Sequence, residues 1–229
     1  MYSSRKIKRY RPVIISGLLF WSIALPHPGL AEVVLPPAEE PAGYIARLLI
    51  NEVPFPGERG YVSETNTRAG MLAVLWVVES RLRHIPGGYT QKEVASVLAE
   101  DAIEVITAGG EKGQCDGFYR DREGRPVFSP RVGERIDNLL KIAGQGEPGR
   151  FARLLIYGRD LAAAYLRGGI AEADCFAGLT RVGKVAVTGR AYSWMMDRDY
   201  YSPGGQFIRI PNTAAGVLGG NRFFTLKRR

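Results

Sequence analysis

Residues 43–52 read Gly43-Tyr44-Ile45-Ala46-Arg47-Leu48-Leu49-Ile50-Asn51-Glu52. Ile45, Leu48, Leu49 and Glu52 follow the i, i+3, i+4, i+7 spacing of one helical face, so the stretch is a helix whose apolar face ends on an acid. Pro54 and Pro56 stop it. A carboxylate set among apolar neighbours is costly to ionise. The spacing therefore predicts a raised pKa for Glu52, which is what a general acid needs near neutral pH. A surface glutamate capping a frayed helix end is the alternative for the same pattern.

Outward from this helix, residues 56–67 form a polar loop, and Ala69 to Leu82 is almost continuously apolar. A helix apolar all round belongs in the middle of a core, so this second helix is expected at the centre of the domain. Thr90 with Glu93 makes a capping box ahead of Val94, Val97 and Leu98. Ser129-Pro130 opens a further helix through Val132, Ile136, Leu139 and Leu140, stopped at Gly144. Phe151, Leu154, Leu155, Leu161 and Tyr165 mark another, stopped at Gly168-Gly169. Beyond residue 185 the pattern dissolves into aromatics, glycine and proline, read as loops with a short hairpin or two. The expectation is an α-rich α+β single domain with an irregular, short-hairpin C-terminal segment.

The N-terminus has a different character. Residues 5–11 are Arg-Lys-Ile-Lys-Arg-Tyr-Arg, an apolar stretch runs from Val13 to Leu25, and Gly29-Leu30-Ala31 follows. This order is that of a secretory signal peptide over residues 1–31 with cleavage after Ala31. The apolar stretch is shorter than the ~20 residues of a spanning helix, so an uncleaved membrane anchor is the weaker alternative. Residues 32–43, rich in proline, glutamate and alanine, read as a spacer before a domain at 44–229. The expected location is periplasmic or secreted, with no stable membrane anchor once the signal is gone.

Export changes the charge argument. The chain carries 31 basic and 23 acidic residues; five of the basic ones and none of the acids lie in the first 31 positions, leaving 26 against 23. A net charge near +3 gives no reason to invoke nucleic acid and suits an anionic wall polymer. His27 falls in the signal, so His84 is the one histidine left, which excludes a multi-histidine zinc site. The two cysteines, Cys115 and Cys175, are expected to form a disulfide in an oxidising compartment.

Ala46-Arg47, the aliphatic turn after it and Glu52 together resemble the opening motif of the SleB-type cell-wall hydrolases, in which the glutamate is assigned as catalytic. Gly70 to Leu82 is similar to that family's next block, a glycine followed by an alanine- and valine-rich helix, with Ser80 where the family prefers asparagine. Gln114 and Phe118 resemble its Gln-Phe pair, here separated by Cys-Asp-Gly. Thr188-Gly189-Arg190-Ala191-Tyr192 resembles its Thr-Gly-Gly-Ala segment. Leu218-Gly219-Gly220-Asn221-Arg222-Phe223-Phe224 resembles its closing block with the histidine lost. Pro54 to Gly57 separate Glu52 from Glu58, and Tyr61 to Thr67 looks like an insertion.

The resemblance implies a lysozyme-like fold and a peptidoglycan substrate. It also implies cleavage of the glycosidic bond by a lytic transglycosylase or muramidase without metal or cofactor. Glu52 would be catalytic, and Gln114 and Phe118 would contact the glycan. Glu58 is either a helper in binding it or a solvated loop acid, and Tyr192, Tyr200 and Tyr201 either stack on sugar rings or close the domain. Trp194, Met195 and Met196 read as packing residues, and Lys227 to Arg229 as a solvated tail. Two rivals remain. One is a non-catalytic peptidoglycan-binding or wall-assembly protein on the same fold. The other is an NlpC-type cysteine peptidase using Cys115, whose Cys-Asp-Gly-Phe is similar to that family's nucleophile segment.

Overall fold

The computed structural model describes residues 33–145, 149–196 and 204–229. The expected signal peptide, its cleavage site, and Tyr200 and Tyr201 lie outside the described residues. Within them the chain is a mixed α+β fold: six helices come first, with one hairpin between them, and a small antiparallel sheet follows. No helix among the described residues is long and apolar enough to cross a membrane.

Helix α1 (Pro41–Asn51) is the expected first helix, opened by a proline in its first turn. Tyr44, Ile45, Ala46, Leu48, Leu49 and Ile50 are all fully buried. It is covered on several sides because α2 (Glu64–Arg83), α5 (Pro130–Ala143) and α6 (Arg150–Gly168) all pack on it. Burial of each such aliphatic side chain contributes roughly 1.5–3 kcal/mol. The segment expected as a spacer is packed too. Leu35 is buried, and Arg47 Nη1 donates to the carbonyls of Pro36 (2.7 Å) and Gly43 (2.9 Å), tying residues 35–43 to α1.

Helix α2 starts five residues earlier than its apolar run. Ser63 caps it by accepting from Asn66 N at 3.1 Å, so the polar loop is shorter than expected. Met71, Ala73, Val74, Leu75, Val77 and Val78 are fully buried, as a central helix requires. Its one early glycine has a reason. A Cβ on Gly70 would meet Gly219 Cα at 2.6 Å, so two backbones touch there. The Thr90–Glu93 capping box forms, but α3 (Gln91–Ala95) is stopped after one turn by Ser96 in the left-handed region, and Leu98 is left exposed.

The short helix α4 (Ala102–Ile106) and the hairpin of β1 (Phe118–Arg120) and β2 (Pro126–Phe128) were not legible in the pattern. The hairpin turns around Asp121, whose Oδ1 accepts from Glu123 N and Arg125 N. Helices α5 and α6 match their expected spans closely.

The C-terminal segment is more ordered than loops and an occasional hairpin. Strands β3 (Leu179–Val182) and β4 (Val185–Gly189) form a hairpin. Then β8 (Asn221–Leu226) pairs antiparallel with β5 (Ser193–Met196), β6 (Phe207–Arg209) and β7 (Val217–Leu218). Asn221, Phe223, Phe224, Thr225 and Leu226 are all buried, so β8 is covered on both faces and lacks the alternation that betrays a strand. Lys227 to Arg229 are exposed, as expected of a solvated tail, but the end is anchored: Arg229 donates to Gly88 O and Glu93 and lies 4.0 Å over the Tyr89 ring.

The expected Cys115–Cys175 disulfide is absent, and both thiols are free. Cys115 lies inside the core beside Phe118 and acts as a small apolar filler, whereas Cys175 sits on an exposed turn.

Candidate active site

The end of α1 opens into a groove of about 670 Å³. Asn51, Glu52, Val53 and Pro54 line it from the helix end, Glu58, Arg59 and Gly60 from the following loop, and Arg131 and Arg135 from α5. Met196 of β5 and Gly219 and Gly220 of the β7–β8 turn complete it. Helical and sheet segments more than 140 residues apart in sequence therefore meet over one carboxylate.

The last carbonyls of a helix have no partner within the helix. Here they are claimed by two distant side chains. Arg135 donates to Ile50 O and Val53 O, both at 2.9 Å, and Asn221 Nδ2 donates to Glu52 O and more weakly to Gly219 O. Thr67 Oγ1 holds Pro54 O at 3.0 Å, and Asn66 Oδ1 accepts from Gly219 N at 3.0 Å. With Gly70 against Gly219, these contacts fix the β7–β8 turn on α2 and fix the backbone of Glu52 from three sides.

The Glu52 side chain is 7% exposed. Its Oε2 accepts from Trp194 Nε1 at 2.7 Å; its Oε1 has only a long 3.4 Å contact from Asn51 Nδ2. No arginine or lysine forms an ion pair with it among the described residues. Burial pushes its pKa up, opposed by the Trp194 and Asn51 hydrogen bonds and by the charge of Arg135, and reinforced by Asp116. The group thus favours the protonated form over an ordinary glutamate, with Oε1 the oxygen that has bonding capacity to spare.

Glu58 lines the same groove in a different state. Arg135 grips it through Nε–Oε1 (3.1 Å) and Nη2–Oε2 (2.6 Å), and Phe55 N donates to Oε2 at 2.7 Å. It braces the lip of the groove. Among the described residues, Glu52 and Glu58 are the acids that line the groove, and Glu52 is the one without an ion pair.

The other expected glycan contacts are not brought to this place. Phe118 is fully buried at the start of the β1–β2 hairpin, against Tyr44 and Phe128. Tyr192 is 1% exposed, and its hydroxyl donates to His84 O at 2.7 Å. Gln114 donates to Ser96 Oγ at 3.1 Å and does not line the groove. Aromatic rings this large are core material when a sheet and helices close around them. Cys115 is poorly placed as a nucleophile: it is buried in the core, and burial, with Glu52 nearby, pushes its thiol up. Among the described residues no group of three or more His, Cys, Asp and Glu side chains is arranged to hold a metal ion.

Trp194, Asn221 and Arg135 are the residues the pattern did not give. Trp194 had the look of packing, and it does pack, but its one polar atom is spent on Glu52. Asn221 carried a signal in its Gly-Gly-Asn context; Arg135 carried none, since a lone arginine in an amphipathic helix is indistinguishable from a solvated one. No family model matches the chain, nor does any curated protein or solved structure.

Proposed function

We propose that the groove is the active site of an exported enzyme that cleaves glycan strands of peptidoglycan between N-acetylmuramic acid and N-acetylglucosamine. It acts as a lytic transglycosylase or muramidase on a lysozyme-like domain, with Glu52 as its acid. The observation that carries the reading is a buried Glu52, without an ion pair among the described residues, on the floor of an open groove and held by Trp194. The groove has the volume of a small-ligand site and holds a few sugar rings. Arg59 is exposed at its edge and suits a carboxylate of a peptide-bearing glycan, while Arg131 beside it is paired with Asp116.

The chemistry follows from one carboxyl group. Protonated Glu52 gives its proton to the leaving O4 of N-acetylglucosamine as the bond to the muramic C1 breaks. The resulting carboxylate, steadied by the Trp194 N–H, then takes the proton of the muramic O6 hydroxyl. That oxygen closes on C1 and forms a 1,6-anhydro ring. The proton returns to Glu52 and no water is consumed. Glycosidases that use water commonly need a second carboxylate across the bond; Glu58, bound by Arg135, is a poor candidate for that role.

Digestion of purified sacculi followed by mass spectrometry tests the reading. The expected products are anhydro-muropeptides, absent with Glu52→Gln. Reducing-end products would make the enzyme a muramidase. Binding to sacculi without any soluble product would replace the enzyme with a wall-binding protein on the same scaffold.

A further inference from the structure

Arg81, on the last turn of α2, is buried at 2% exposure, yet no carboxylate is paired with it among the described residues. A buried cation without a counter-ion costs several kcal/mol, and an apolar residue of similar volume would serve packing better. Burial alone pulls its pKa down to about 10, with Cys115 opposing. Its bonds explain why an arginine is kept. Nε donates to Tyr192 O at 2.7 Å, and the guanidinium carbon lies 5.4 Å from the centre of the Trp194 ring. Tyr192 and Trp194 are two apart in sequence, so one side chain ties α2 to the backbone and to the indole of the same short segment. A planar guanidinium can bond the backbone at one edge while its flat side meets an indole; an ammonium cannot do both.

We propose that Arg81 is a positioning residue: it fixes the Trp194 indole against α2 so that Nε1–H is aimed at Glu52. Its significance for catalysis rests on the reading of Glu52 as the proton donor; the geometry does not. The chain of contact runs from Arg81 through the indole to Oε2, and Oε1 keeps only its long contact from Asn51. The other charged or titratable groups acting on Glu52 are Arg135 of α5, and Asp116 and Cys115 of the loop before β1. None of these touches Trp194 in the way Arg81 does.

The test is the indole Nε1–H resonance of Trp194 in ¹H–¹⁵N spectra of the whole protein, assigned by its loss in Trp194→Phe. In the wild type it shifts with pH as Glu52 ionises, and the shift vanishes in Glu52→Gln. Arg81→Lys keeps the charge and Arg81→Met keeps the volume. Both are expected to move the resonance towards that of a free indole and to abolish its pH response. A wild-type response in Arg81→Lys would reduce Arg81 to a charge, and one in Arg81→Met would reduce it to a space-filler; either overturns the proposal. Failure of both variants to fold also overturns it, because the role would then be stability. A protein inactive on sacculi but with the coupled resonance intact would defeat the enzymatic reading and leave the positioning role standing.

Discussion

The floor and the lip of the groove each carry a glutamate, six residues apart, and they are built in opposite ways. On the floor, Glu52 is largely buried, bonded to an indole N–H, and paired with no cation among the described residues. At the lip, Glu58 is more open and locked to Arg135 by two bonds. Arg135 is shared between them. It grips Glu58 directly, and reaches Glu52 only through the carbonyls of Ile50 and Val53 and by its charge at longer range. A carboxylate gripped by a guanidinium has both oxygens occupied and is held in place. One given burial and a neutral donor keeps its proton available. The difference separates the acid that can do chemistry from the acid that holds the site in shape.

The sharpest way to break this contrast is Glu52→Gln, which preserves shape but removes the transferable proton. Loss of general acid–base catalysis should lower the rate on sacculi by ~10²–10⁴-fold. The same variant should be more heat-stable than the wild type above neutral pH. The unfolded glutamate ionises near 4.3 while the folded one holds its proton longer, so wild-type stability falls as pH rises through that window and then levels. The melting-temperature advantage of Glu52→Gln should therefore vanish below about pH 4. A variant less stable than wild type at pH 8 would mean that Glu52 serves the fold.

Trp194→Phe should come next. A hydrogen bond to a charged group contributes roughly 1.5–3 kcal/mol, so losing it from the carboxylate formed after proton donation should slow turnover by ~10–100-fold. It should also push the Glu52 pKa further up, shifting the pH–rate profile towards alkaline values. Gly70→Ala probes the seam between the halves. Helix propensity favours alanine by about 1 kcal/mol, but the new methyl runs into the Gly219 backbone, and overpacking costs roughly 1–3 kcal/mol. A net loss of stability up to about 2 kcal/mol is expected, with activity falling as Asn221 is drawn off Glu52 O. Glu58→Gln should have the smallest effect. A half-exposed ion pair is worth about 1 kcal/mol or less, so melting should shift by a few degrees and the rate by less than tenfold. A loss as large as that of Glu52→Gln would give Glu58 a part in the chemistry.

What could be read from the sequence follows the physics of each half. Helices α1, α2, α5 and α6 announce themselves because burial at 3.6-residue periodicity and stopping prolines and glycines act locally. Glu52 was legible for the same reason, as an acid on the apolar face of its own helix. The C-terminal sheet was not, since β8 is covered on both faces and its partners are only two to four residues long. Trp194 and Asn221 come from that sheet and reach Glu52 only through long-range pairing of β5 with β8. Phe118 and Tyr192 were read as glycan contacts because an aromatic in a motif looks the same whether it faces a cleft or a core. The cysteine pair misled in a similar way: an even count says nothing about whether one thiol is inside the core.

The most direct test of the whole account is the ionisation of Glu52 itself, followed by ¹³C NMR of the glutamate carboxyl carbons across pH 3–9 and identified by the signal missing from Glu52→Gln. The account predicts a titration above the ordinary glutamate value of about 4.3, moving higher still in Trp194→Phe. A Glu52 carboxyl that titrates at or below that value would contradict it, because a group already ionised near neutral pH has no proton to give.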